Sequence, residues 1–351
     1  MGGPGRAGGP LAGVRHGGDP RAFGVRPGSV LDFSANLNPL GTPPAVRAAV
    51  AEADLAAYPE PYSRTLARAI AARLDVPPEA IAVGAGATEL IHLCARTMPG
   101  PTVSILVPTF SEYRPACEAA GLRVEAAAED LAGLRGPGAF LCNPNNPTGR
   151  LRRPDAIRDI VPARGLLVVD ESLIDFVDDP DGTSLARASA RQRGLVVLRS
   201  LTKWYAMPGL RAGYAVAHPD LVRLWDRRRD PWSVGAAAQA GALAALSPAT
   251  ADHDRATRAW IGPARQALYD GLRRIPGLCP WPPAANFVLV RGPTPAAALR
   301  ERLLRRHAIL IRGPEGFEGL GPDCFRVAVR SPAENARLLA ALAEDLDDGQ
   351  Q

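Results

Sequence analysis

The chain has 351 residues, 46% of them hydrophobic, with a formal net charge of +5 and a pI near 9.2, which allows a large core in two domains or in one domain with an appendage. Cys94, Cys117, Cys142, Cys279 and Cys324 are scattered without CxxC spacing, which argues against a disulfide framework or a zinc site and for reduced packing thiols. No apolar run approaches a membrane span, the Gly/Pro-rich opening lacks the apolar core of a secretory signal, and the basic run at 225–230 is flanked by aspartates, so cytoplasm is expected, membrane and nucleic-acid partners are not, and the mild positive charge suits a small anionic substrate.

Residues 1–15 are rich in Gly and Pro and are expected to be disordered. Residues 16–57 read as an N-terminal segment that lines a cleft and joins a smaller domain, because DFSANLNPLG (32–41) is polar and turn-rich. SRTLARAIAARL (63–74) is apolar at helical spacing. The runs TVSILVP (102–108), GAFLCNP (138–144), GLLVVDES (165–172), LVVLRS (195–200) and RAGYAVA (211–217) follow, each short and apolar and most ending in polar residues. Short buried strands separated by helical stretches imply an α/β domain over 58–235 with a mainly parallel sheet, whose ligands should sit at strand ends. From residue 236 long Ala/Leu/Arg-rich helical stretches appear, and Gly262-Pro263 is expected to break them once. Strand candidates at 285–291, 309–313 and 324–330, with helices at 296–307 and 332–346 around them, make 236–351 a second, smaller α+β domain.

Four stretches carry chemistry. GAGATEL (84–90) places small residues before a helix start, so that free N–H groups near Ala87 and Thr88 could hold a phosphate. A plain helix start remains the alternative, and a dinucleotide fingerprint is excluded by Glu89 at the third glycine position. NPNNPTG (143–149) is a proline-locked polar turn that offers the Asn146 amide after a strand. Asp170 ends an apolar strand, where a carboxylate needs a cation to meet it. LRSLTKWYAMPGLRAGY (198–214) holds Lys203, the single lysine among 41 basic residues. An ammonium can lose its proton and condense with a carbonyl and a guanidinium cannot, so this position reads either as a required amine or as a chance survivor of a composition biased to arginine. Ser200 and Arg211 on the same loop add a hydroxyl and a cation for a phosphate.

In this combination and order the motifs resemble those of fold-type I pyridoxal 5'-phosphate enzymes of the aminotransferase class I/II family, from about His16 to the C-terminal helix. The resemblance implies a large domain with a seven-stranded-type sheet and a smaller α+β domain. It implies that Lys203 binds the cofactor covalently, that Asp170 pairs with the pyridine nitrogen, that Asn146 bonds the ring O3' and that Phe110 stacks on the ring. Ser200, Arg211 and the amides of Ala87 and Thr88 would hold the cofactor phosphate. Tyr58 resembles the tyrosine that reaches the neighbouring subunit's phosphate site, which implies a homodimer with shared active sites, and Arg326 resembles the arginine that forks onto the substrate carboxylate. HGGD (16–19), DPWSV (230–234) and the strand candidates at 309–313 and 324–330 resemble a branch that decarboxylates a phosphorylated amino acid more than the transaminating branch beside it. In that branch His16, Gly17, Asn36 and Arg312 would line the substrate-phosphate side. Two positions depart from the pattern: Leu173 stands where a tyrosine is common, and Gly235 where the decarboxylating branch carries asparagine. A non-catalytic regulator on the same fold would need a DNA-binding segment ahead of residue 16, and none is expected.

Overall fold

The computed structural model describes Arg21, Arg26 and residues 28–347 apart from 129 and 162–164. The strands are, in chain order, β1 (Leu31–Asp32), β2 (Ile81–Gly84), β3 (Thr102–Leu106), β4 (Arg123–Ala127), β5 (Gly138–Cys142), β6 (Leu166–Asp170), β7 (Leu195–Ser200), β8 (Gly213–Ala217), β9 (Cys279–Pro280), β10 (Phe287–Arg291), β11 (Ile309–Leu310) and β12 (Cys324–Ala328). Seven of them form one sheet in the order β2-β8-β7-β6-β5-β3-β4. The β7-β6, β6-β5, β5-β3 and β3-β4 pairs are parallel, and β8 is antiparallel to both of its neighbours. The mainly parallel sheet read from the apolar runs is therefore present.

Burial explains why these strands are apolar without alternation. Leu167 and Val169 of β6 join a core on one face of the sheet, together with Leu66 and Ile70 of helix α2 (Arg64–Leu74). Leu166 and Val168 join a second core on the other face, with Leu90 and Leu93 of helix α3 (Ala87–Ala95) and Tyr113 of helix α4 (Tyr113–Ala119). A sheet covered on both faces selects Val and Leu at every position. Strands β2 and β4 escaped the sequence reading. β2 has only four residues, IAVG, and β4, RVEAA, lies at the sheet edge with no residue fully buried.

A second sheet, β12-β10-β9, is antiparallel, and a short parallel pair joins β1 to β11. The N-terminal segment is stitched into this region: Phe33 N–H donates to Leu310 O at 2.8 Å and Ala328 N–H donates to Phe33 O at 2.9 Å. The expected break at Gly262-Pro263 does not occur. A single helix runs Ala251–Arg273 with Pro263 inside it. Proline removes one internal hydrogen bond there, but Ile261, Ala264, Leu268 and Leu272 on either side of it bury one face in the main core, and that packing outweighs the local preference. No helix among the described residues is long and apolar enough to cross a membrane. The expected disorder of residues 1–15 concerns positions outside the described residues.

Candidate active site

Strand register brings the polar strand ends together. Cys142 lies opposite Asp170 on β5 and β6, Asp170 opposite Leu198 on β7, and Ser200 opposite Gly213, which is itself opposite Gly84. Asp170 thus closes β6 at the mouth of the parallel strands, where α/β sheets place their ligands. It is 3% exposed. The Ser172 backbone N–H donates to its Oδ1 at 2.9 Å and the Tyr113 hydroxyl donates to its Oδ2 at 2.8 Å. Burial presses the Asp170 pKa upward, and the bonds from Ser172 and Tyr113 and the charge of Lys203 oppose it without cancelling it. Next to it Glu171, fully buried, meets Arg199 Nη1 at 3.3 Å and accepts from Ser184 Oγ and Leu185 N–H, so the ends of β6 and β7 are held by a hydrogen-bonded ion pair.

Lys203 stands on the loop between β7 and β8. Its carbonyl accepts from Asn38 N–H at 3.0 Å, while the Asn38 side chain donates to Trp204 O at 2.9 Å and to Thr257 Oγ1 at 2.8 Å. The Trp204 indole N–H donates to Asp254 Oδ1 at 2.6 Å. The polar stretch 32–41 thus clamps the lysine loop. Burial, and then the charges of Arg326 and Arg211, lower the Lys203 pKa to about 8 against a partial opposing effect of Asp170. Such an amine holds and releases a proton near neutrality.

A cradle for an anion lies at the start of α3, which has no side-chain cap. Gly86 has φ +83, and a Cβ on it would stand 2.6 Å from Arg211 Nη2; only glycine gives both the left-handed turn and the close approach. Gly213 lets β8 press on the same turn, since its Cβ would meet Arg199 O at 2.9 Å and Ala87 N at 3.0 Å. Ser200 Oγ and Thr202 Oγ1, both buried, lie 2.8 Å apart beside it.

Two arginines form the opposite wall. Arg312 and Arg326 bridge through their backbones, with N–H to O distances of 3.0 and 2.8 Å, and each is 5% exposed. Arg326 Nη1 donates to Asn146 Oδ1 at 2.5 Å and Nη2 to Ser34 O at 2.7 Å, over the Phe287 ring at 5.0 Å, and its Nε is buried without a hydrogen-bond partner among the described residues. Arg312 donates to the carbonyl and carboxylate of Glu315 and lies 4.8 Å from the Phe317 ring centroid. Burial, followed by the neighbouring Arg312, lowers the Arg326 pKa. Among the described residues the two guanidiniums of the wall pair with a single carboxylate, Glu315, which meets Arg312, so the wall keeps a positive excess that suits an anion. Asn36 accepts from Asn286 Nδ2 through its carbonyl at 2.8 Å.

One cavity collects these groups. Ala87, Thr88, Phe110, Asn146, Asp170, Ser200, Lys203 and Arg211 line it, and so do Asn36, Arg312 and Arg326. Leu173 lines it as well, with no hydroxyl to offer. Tyr58 does not: it is 86% exposed, with its ring 5.7 Å from that of Trp232. His16 and Gly17 lie outside the described residues. The sequence reading missed Tyr113 and Thr202. Tyr113 carried a signal, three residues after Phe110 in PTFSEY, but its bond to Asp170 crosses from α4 to β6.

Against known proteins, the model of the aminotransferase class I and II family matches residues 28–342. The chain belongs to that family. Its members depend on pyridoxal phosphate, and that is the cofactor of this chain. It is 38% identical to the threonine-phosphate decarboxylase of Salmonella typhimurium over 93% of this chain and 95% of that one. It is 36% identical to the histidinol-phosphate aminotransferase of Symbiobacterium thermophilum, over 91% of each. The histidinol-phosphate aminotransferase of Sinorhizobium meliloti, solved with pyridoxal 5'-phosphate, superposes with a TM-score of 0.82 at 26% identity, covering 93% of this chain and 92% of that one. The fold is that of fold-type I enzymes of this family, and the chain is an enzyme of this pyridoxal phosphate-dependent class.

Proposed function

We propose that this protein decarboxylates L-threonine O-3-phosphate to (R)-1-amino-2-propanol O-2-phosphate and CO2, the step in cobalamin biosynthesis that the resemblance implies. The carrying observation is the pair of adjacent buried guanidiniums, Arg312 and Arg326, in the cavity that holds Lys203 and Asp170. Two cations side by side match one small substrate that carries both a carboxylate and a phosphate. The resemblance at 38% to the Salmonella decarboxylase supports the same reading.

The residues present fit the cofactor. Asp170 is a buried carboxylate with acceptor capacity left over, suited to a pyridinium; the turn at Gly86 with Arg211, Ser200 and the amides of Ala87 and Thr88 suits a phosphate; Lys203 is an amine with a lowered pKa; Asn146 offers an amide and Phe110 a ring face. Pyridoxal phosphate bound there supplies an electron sink for the bond that breaks at the substrate Cα. Arg326 holds the carboxylate, and Arg312, with Asn36, lines the phosphate side, to which the resemblance also assigns His16 and Gly17. This grip decides which Cα bond is aligned for cleavage, and Lys203 returns a proton to Cα once CO2 has left. Tyr58, 86% exposed and not among the residues that line its own cavity, would enter the phosphate site of a second copy.

Histidinol-phosphate aminotransferase is the second reading, favoured by the 36% identity to the Symbiobacterium enzyme and by Gly235, which lacks the side-chain amide of the decarboxylating branch. One pair of assays separates the two. The purified protein with O-phosphothreonine should release CO2, and with histidinol phosphate and 2-oxoglutarate it should form no glutamate. Glutamate without CO2 would transfer the assignment to the aminotransferase.

A further inference from the structure

Each oxygen of Asp170 already accepts a hydrogen bond from inside the chain, Oδ1 from the Ser172 backbone and Oδ2 from the Tyr113 hydroxyl. A carboxylate offers about four acceptor positions, so room remains for a ligand on the cavity side. The Ser172 donor is fixed by the main chain. The Tyr113 donor is fixed by rings: Tyr113 is fully buried, lies parallel to Phe140 of β5 at 5.1 Å and 11°, and meets Phe110 edge-on at 5.7 Å and 78°. Phenylalanine would satisfy both ring contacts, so packing alone gives no reason for a hydroxyl at this depth. A hydroxyl that donates to an ionised carboxylate makes a stronger bond than a neutral pair does, and it favours the ionised form that burial opposes. It also pins the plane of the carboxylate, since the two donors reach different oxygens from α4 and from the loop after β6.

We infer that Tyr113 is a positioning residue, whose hydroxyl keeps Asp170 ionised and in one orientation, ready to pair with the protonated ring nitrogen of pyridoxal phosphate. The inference rests on the assignment of Asp170 to that nitrogen under Proposed function. It predicts a dependence on the ring nitrogen itself, which a packing role does not share.

The test compares binding of pyridoxal phosphate with binding of its 1-deaza analogue, in which carbon replaces the ring nitrogen, to the apo-protein and to Tyr113→Phe. The wild type should prefer pyridoxal phosphate. Tyr113→Phe, which keeps both ring contacts, should weaken pyridoxal phosphate about 10-fold, the scale of one hydrogen bond to a charged group, and leave the analogue unchanged. In an Asp170→Asn background the same substitution should cost no further affinity. Equal losses for both ligands, no loss for either, or an additive loss in the Asp170→Asn background would overturn the inference while leaving the Asp170 assignment in place. Equal affinity of the wild type for both ligands would remove that assignment and the inference with it.

Discussion

Lys203 is singular in the sequence and in its surroundings. Burial and two nearby guanidiniums bring its pKa to about 8, so roughly a tenth of the chains carry the free amine at pH 7. The sign follows from the charged form being the disfavoured one: this lysine opposes folding of the apo-protein below pH 8, and its penalty fades as the pH rises from 8 toward the ordinary value of 10.5. Capture of pyridoxal phosphate, followed by stopped-flow absorbance, should accelerate with pH around a midpoint near 8. Arg326→Gln removes one of the two cations and should move that midpoint upward. A midpoint that Arg326→Gln leaves in place would show that Arg326 does not depress the amine. The lone lysine was legible in the sequence as a candidate amine, but the cause of its lowered pKa was not, because Arg326 is 123 positions away in the chain (326 − 203).

At the scale of elements, the anion cradle depends on how closely β8 approaches the start of α3. Gly213→Ala places a methyl group 2.9 Å from Arg199 O and 3.0 Å from Ala87 N, contacts that only a backbone shift can relieve. It should cost about 1–3 kcal/mol of stability, read as a fall in Tm, and weaken pyridoxal phosphate by more than it weakens phosphate-free pyridoxal. An equal effect on both ligands would separate the turn from phosphate binding. The long helix Ala251–Arg273 gives a second element-level prediction. Gly262 sits in its interior directly before Pro263, whose Cδ crowds a Cβ on the preceding residue when that residue is helical. Gly262→Ala should therefore gain none of the ~0.5–1 kcal/mol that a glycine-to-alanine exchange usually brings inside a helix, measured by urea unfolding. The Gly-Pro pair read as a helix break in the sequence because local preference was the only information there; the buried face that overrides it becomes visible only once the core is assembled.

For the whole molecule, the proposal that two copies share their sites has a direct test. Lys203→Ala and Tyr58→Ala each spoil one part of a site. If Tyr58 serves the partner, a mixed dimer of the two variants contains one site with both residues intact, and mixing after unfolding and refolding together should restore decarboxylation that neither variant shows alone to the same degree. If each chain completes its own site, mixing should restore nothing.

The sequence by itself determined the elements whose signal is local. Apolar runs fully buried on both faces set β3 and β5 to β8, a helical stripe set α2, and the motifs at 84–90, 143–149 and 198–214 marked the residues that line one cavity. These were readable because each ties residue type to its place within a few positions: a glycine for a left-handed turn, a proline for a locked turn, a single lysine in a chain whose other basic residues are arginines. Tertiary structure alone decided the remainder. It set the strand order and the two antiparallel neighbours of β8, the incorporation of residues 31–33 into the C-terminal sheet region, the continuity of the helix through Pro263, the backbone bridge that sets Arg312 beside Arg326, and the bond from Tyr113 to Asp170. Each of these joins positions far apart in the chain or rests on burial by such positions, and the free energy that selects them, desolvation offset by a partner in space, has no counterpart in the local pattern.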